Sequence, residues 1–196
     1  MTASAPLDRV LDVIVGRGIA ATAEGVSELV GTPISISALR AVRVPVRDIV
    51  ERLGGPEELV VAVYLLALGD MAGHIMLILP HQSALRLVDL LMGQPEGTTQ
   101  QLTPLGQSAL GEVGNISAAA LLNCLAAALG VEARPSPPAV IVDMAGAIMD
   151  IIVSNACPDL SDLFLLESIF SGPDRAIQVF FWVIPEGVPA DCFSGV

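Results

Sequence analysis

Gly73-His-Ile-Met-Leu-Ile-Leu-Pro80 is a run of apolar residues stopped by a proline, and Ile177-Gln-Val-Phe-Phe-Trp-Val-Ile-Pro185 writes the same segment a second time. Runs rich in β-branched and aromatic residues form buried strands, and proline, lacking an N–H, ends their pairing. Each run follows another apolar stretch, 58–68 and 161–169, across a short link of glycine or polar residues. Links of that length favour antiparallel hairpins. Outward from the hairpins both halves keep one order: a long helix (about 6–30 and 103–129), a strand (about 33–44, and from 138), a short helix (about 46–53 and 143–151), then the hairpin. Gly31-Thr-Pro-Ile-Ser-Ile in the first half is answered by Gly130-Val-Glu-Ala-Arg-Pro in the second. A connecting helix, 81–92, and a linker, 93–101, join them. The order predicts an α/β (α+β) fold: one domain over 1–196, duplicated as half-repeats of about 6–93 and 101–186. A six-stranded, mostly antiparallel sheet and two long helices should be related by a pseudo-twofold axis.

Composition narrows the function. The 196 residues are 53% hydrophobic, enough for a generous core. All nine basic residues are arginine, which excludes Schiff-base chemistry and a phosphate loop with its lysine. The net charge is −12, and residues 53–196 hold three arginines against fifteen acids. That part would repel a phosphate backbone, so nucleic acid is not an expected partner. Cys124, Cys157 and Cys192 lack metal-ligand spacing, and with only two histidines, His74 and His81, each read as a core or turn residue, no metal site is expected. The absence of a leader-like N-terminus and the odd cysteine count fit a reducing cytoplasm. Residues 113–131 carry no charge over 19 positions, a length that could span a membrane. They contain Asn115, Ser117 and Asn123 and lie between Glu112 and Glu132, so they read as a buried helix of a soluble protein.

The second long helix has clear ends: Thr103 as N-cap, Pro104 at the first helical position and Gly130 just past the end. Within it Ser108, Glu112 and Asn115 stand at i, i+4 and i+7, one narrow arc, while Val113, Ile116 and Ala120 project elsewhere. Gly106, Gly111 and Gly114 each cost about 1 kcal/mol relative to alanine in a helix. Two readings explain those beside the polar triplet: close packing on the chain's own sheet, or bare backbone that another protein can approach.

Ser108, three residues, Glu112, two residues, Asn115, 22 residues, then Pro138 resembles the signature of the CheC, CheX and FliY phosphatases of chemotaxis, CheC most of all. EVGNISAAALLNCLAAALG and the following PSPPAVIVDMAGAIMD look like the second half of a CheC protein, and the resemblance runs over roughly residues 7–185. In the first half, Gly16-Arg-Gly18-Ile-Ala-Ala-Thr-Ala23 is similar to the family's glycine-rich helix text. Counting back from it, the first-site positions fall on Leu7, Leu11 and Ile14, all apolar, so that site looks erased.

The resemblance implies dephosphorylation of the aspartyl phosphate on a CheY-like response regulator, with one intact site. The catalytic pair would be Glu112 and Asn115, supported by Ser108 and by a structural Pro138. No cofactor is expected in this chain, because Mg²⁺ would sit in the partner regulator. An aspartyl phosphate flanked by its own metal and lysine needs little beyond an in-line water, which the carboxamide of Asn115 can hold. Glu112, ionised at neutral pH, is a poor base beside phosphoryl oxygens and suits pairing with the partner's lysine. A second class stays open: a docking or adaptor protein for the regulator or for the receptor deamidase CheD, with weak catalysis or none. CheX relatives pair as dimers, whereas a duplicated chain holds both halves already and is expected to be a monomer.

Overall fold

The structure is a computed structural model that describes residues 13–70, 72–156 and 162–185. A π-helical turn, Val13–Gly18, leads into α1 (Ile19–Val30); β1 (Ser35–Pro45), α2 (Val46–Arg52), β2 (Leu59–Gly69), β3 (Gly73–Pro80) and α3 (His81–Leu91) complete the first half. The second half runs α4 (Pro104–Leu129), β4 (Ala133–Pro135), β5 (Ala139–Met144), α5 (Ala145–Ala156), β6 (Asp162–Ser171) and β7 (Ala176–Pro185). Both α1 and α4 end at a glycine with φ of 71°, Gly31 and Gly130, a left-handed conformation that only glycine adopts without strain.

One sheet runs in the order β1-β6-β7-β3-β2-β4, with β5 also on β2, and every pairing is antiparallel. The two proline-ended strands are neighbours at its centre, Gly73 opposite Pro185 and Ile78 opposite Phe180. Exchanging β1 with β4/β5, β2 with β6 and β3 with β7 reverses the order and leaves it otherwise unchanged, as a pseudo-twofold axis between β3 and β7 requires. The outer strand of each half pairs with the hairpin of the other: β1 lies on β6, β5 on β2.

Seven strand segments stand where six strands were expected, because the sixth is cut in two. Pro135 is opposite Ala67 and Ala139 opposite Tyr64, so three residues, 136–138, face two on β2. Two of those three are prolines and cannot donate to the ladder. Ser136 holds the break together: its N–H donates to Leu66 O at 2.8 Å, and its hydroxyl accepts the Leu66 N–H at 2.9 Å. The result is a one-residue bulge that turns Pro138 out of the strand line.

Alternate residues of the central strands serve two cores. Val61, Val63, Leu65, Ile75, Leu77 and Val179 meet Val26 of α1, Leu87 of α3 and Leu110, Val113 and Leu122 of α4. Val60, Ala62, Met76, Ile78 and Trp182 meet Ile49 of α2 and Ile148 and Met149 of α5. The long helices thus cover one face and the short ones the other. Helix α4 has the length and composition to cross a membrane, yet half of its apolar window is buried against this core.

The linker into α4 is pinned. Buried Asp89 accepts the N–H groups of Gly97 and Thr98 on one oxygen, at 2.7 and 3.1 Å, and that of Thr99 on the other, at 2.7 Å. Burial pushes this carboxyl up, but the hydrogen bonds from Thr99, Gly97 and Thr98 outweigh it and hold it below its ordinary value. Arg175, in the β6–β7 turn, donates to Gln94 O at 3.1 Å from the other side.

Candidate functional site

The segment after this linker forms α4 for local reasons. Thr103 Oγ1 accepts the Gly106 N–H at 3.3 Å, Pro104 sits at the first position, and the Gly130 N–H closes the far end on Ala126 O at 2.8 Å. Ser108 and Glu112 are exposed and Asn115 is half-buried. At 3.6 residues per turn the three share an arc of about 60°. Among the described residues, Glu112 and Asn115 have no hydrogen-bond or ion-pair partner. Glu112 is the sole charge between Thr103 and Val131.

The residues flanking the pair decide its rigidity. A Cβ on Gly114 would lie 2.4 Å from Val63 Cγ1, so helix backbone rests directly on β2. Ile116, on the other side of Asn115, presses on α1: a Cβ on Gly25 would be 2.7 Å from Ile116 Cγ2. Asn115 therefore stands between a contact to the sheet and a contact to the neighbouring helix. Gly111 faces the bulge, where its Cβ would find Pro138 Cγ at 3.5 Å and Val140 Cγ2 at 3.6 Å. Pro138 thus supports the backbone next to Glu112. Of the two readings of Gly111 and Gly114, packing on the chain's own sheet holds; both are buried, and the approach of a partner to bare glycine backbone is ruled out there.

Ser108 supplies a hydroxyl at the surface one turn before Glu112. Ser117 is different: it is buried and donates to Val113 O at 2.7 Å, a bond within the helix. His74 is a core residue on β3, with Nδ1 2.6 Å from the Tyr64 hydroxyl, and His81 begins α3. Among the described residues, no cluster of histidine, cysteine or acidic side chains could hold a metal ion. Leu7 and Leu11 lie outside the described residues; Ile14 falls in the π-helical turn, its side chain outside them. The supporting contacts at Gly25 and Val63 were not read from the sequence, because neither residue belongs to a motif.

A sheet covered on one face by two long helices is a fold shared with solved FliY and CheX structures. FliY from Thermotoga maritima superposes with a TM-score of 0.73 over 95% of this chain and 93% of its own, at 18% identity. CheX in the CheX-CheY-BeF3-Mg complex from Borrelia burgdorferi does so with 0.53 over 86% and 96%, at 19% identity. At these identities the likeness concerns the fold. Residues 105–142, which hold Glu112, Asn115 and Pro138, match the CheC-like family. The CheY-P phosphatase CheC of Bacillus subtilis is 30% identical over 137 residues, 69% of this chain and 65% of that protein, so the match spans just under two thirds of the relative. Residues 105–142 thus belong to the CheC-like family by that match, and the chain at large is similar in sequence to a CheC protein.

Proposed function

We propose that this protein hydrolyses the aspartyl phosphate of a CheY-like response regulator, using the single site on α4. The observation that carries the reading is the Glu112–Asn115 pair: partnerless at the surface, on backbone wedged between Val63 and Gly25. A site that works by insertion into another protein needs side chains that are free and a backbone that does not give. The name of the Bacillus subtilis relative, a CheY-P phosphatase, supports the substrate class.

In the proposed reaction the regulator brings the phosphoryl group, its Mg²⁺ and its lysine, and this chain brings no cofactor. Asn115 accepts a hydrogen bond from water on its carbonyl oxygen and holds it in line with the phosphorus, while its NH₂ faces phosphoryl oxygen. Water attacks, the P–O bond to the aspartate breaks, the carboxylate leaves with the electron pair, and both protons of the water stay with the phosphate that is released. In a loose transition state such positioning is most of what a protein can add. Glu112 pairs with the regulator's lysine, which aligns the docked complex; a partly desolvated pair of this kind contributes on the order of a few kcal/mol. Ser108 borders the contact.

The apolar residues at positions 7, 11 and 14 favour one further reading, an adaptor that docks the regulator or the deamidase CheD without fast turnover. Single-turnover decay of a phosphorylated CheY-like regulator at saturating protein separates the two. Under the phosphatase reading decay accelerates, and Asn115→Ala lowers the stimulated rate by about a hundredfold while binding persists. Binding without acceleration establishes the adaptor; an Asn115→Ala variant as fast as the parent ends the water-positioning role.

A further inference from the structure

Packing explains where Gly111 faces but not why it is glycine. On the same helix a Cβ at Gly114 would collide with Val63 Cγ1, and one at Gly106 would lie 3.2 Å from Leu102 Cδ1. At Gly111 the nearest atoms, Pro138 Cγ and Val140 Cγ2, would be at 3.5 and 3.6 Å, ordinary contact distances for an alanine methyl. A bare position inside a helix is destabilising relative to alanine. The sheet does not require this one, so the reason lies along the helix.

Gly111 stands four residues before Asn115. At about 100° per residue the two are roughly 40° apart around the axis. Asn115 therefore lies on the flank of α4 that faces the Pro138 bulge, while Ile116 lies on the flank that faces Gly25. The χ1 rotamers open to a helical side chain lean it back over the preceding turn, onto residues i−3 and i−4. For Asn115 these are Glu112, which is exposed, and Gly111, which is buried. With no side chain at 111, a slot is left between helix backbone and the half-buried ring of Pro138.

Resting on the reading given under Proposed function, we infer that Gly111 is a positioning residue for Asn115: its missing side chain leaves the slot in which the carboxamide lies, with Pro138 as the far wall. Cβ atoms at i and i+4 are about 5–6 Å apart, so a methyl group at 111 would come within about 4 Å of the carboxamide carbon and crowd that orientation. The effect falls on the reaction and not on docking. A group that holds water in line loses rate when it turns, whereas Glu112 and the exposed surface around it stay as they were.

The test uses the full chain and a CheY-like regulator phosphorylated with acetyl phosphate, with decay followed over a range of protein concentration. Gly111→Ala should resist urea at least as well as the parent yet lower the saturated rate by about ten- to a hundredfold, with the half-saturating concentration unchanged. A merely structural role for Gly111 does not give a variant that is as stable, docks as well and is slower. Pro138→Ala, added to Gly111→Ala, withdraws the wall and should recover part of the rate while lowering stability. In the protein alone, three-bond couplings should report one χ1 rotamer for Asn115 in the parent and another, or a mixture, in Gly111→Ala; the exposed Asn123 should keep its own. A parental saturated rate or an unchanged Asn115 rotamer in Gly111→Ala overturns the inference. So does a slower rate accompanied by lost stability or raised half-saturation, since a shifted helix or a weakened contact would then account for it. A parent protein that does not speed decay refutes the phosphatase reading instead, and the couplings still decide whether the slot orients Asn115.

Discussion

Replacing Gly111 and Gly114 by alanine, three residues apart on one helix, should push stability in opposite directions. Glycine to alanine inside a helix stabilises by about 1 kcal/mol when the new methyl group has room. At Gly111 it does: the nearest atoms, on Pro138 and Val140, are at 3.5 and 3.6 Å, ordinary contact distances. At Gly114 the methyl would lie 2.4 Å from Val63 Cγ1, more than ~1 Å inside that range. Val63 is fully buried on β2 between α4 and the rest of the core, so neither side can yield freely. Overpacking of this kind costs about 1–3 kcal/mol, which cancels the helix gain or exceeds it. The two variants should therefore differ by about 1–3 kcal/mol, or some 2–12 °C in Tm for a chain of this size. Urea unfolding of both variants, of Val63→Ala and of the Gly114→Ala/Val63→Ala double variant measures this. The double variant should be more stable than additivity allows by about 1 kcal/mol or more, because the two changes share one space. Additive losses, or a Gly114→Ala protein as stable as Gly111→Ala, would refute the seating of α4 on β2, and with it the rigidity argued for Asn115.

Ser136→Ala should cost about 1–3 kcal/mol and speed hydrogen exchange of the Leu66 amide, since that N–H loses the hydroxyl that accepts it; unchanged exchange would remove the serine from the bulge. The pinned linker should make stability acid-sensitive. The folded-state value of Asp89 is depressed, so its contribution is present above the unfolded value near 3.9 and is lost as pH falls through that region and below. Asp89→Asn should lower stability at neutral pH and flatten the acid limb of the stability curve, read by chemical denaturation between about pH 3 and 7; a limb as steep as the parent's would exclude Asp89 as its source.

Much of this was legible in the sequence where a local rule sufficed. Thr103, Pro104 and Gly130 fixed the ends of α4, and the two proline-ended runs predicted the central strands. The break in the sixth strand was written in Pro135, Pro137 and Pro138, but placing it needed to know that Leu66 stands opposite and that Ser136 can replace a missing ladder partner. The glycine seats were out of reach in the same way: periodicity gives the direction of Gly114 on the helix, whereas its justification is Val63, fifty-one positions earlier. Periodicity also grouped Ser108, Glu112 and Asn115 correctly. It did not say that Asn115 would be half-buried, because that depends on how closely α1 comes, which Gly25 and Ile116 set.

The exchange of outer strands between the halves bears on how such a chain can change over time. Ser35 pairs with Ser171 and Leu59 with Met144, so the sheet closes only when segments far apart in the chain meet. Contacts of that range slow folding and tie it into one event. Neither half could then be discarded, since the hairpin of each is the template for the edge strand of the other. Substitutions in either half would then be filtered for their effect on the folding speed and yield of the whole sheet.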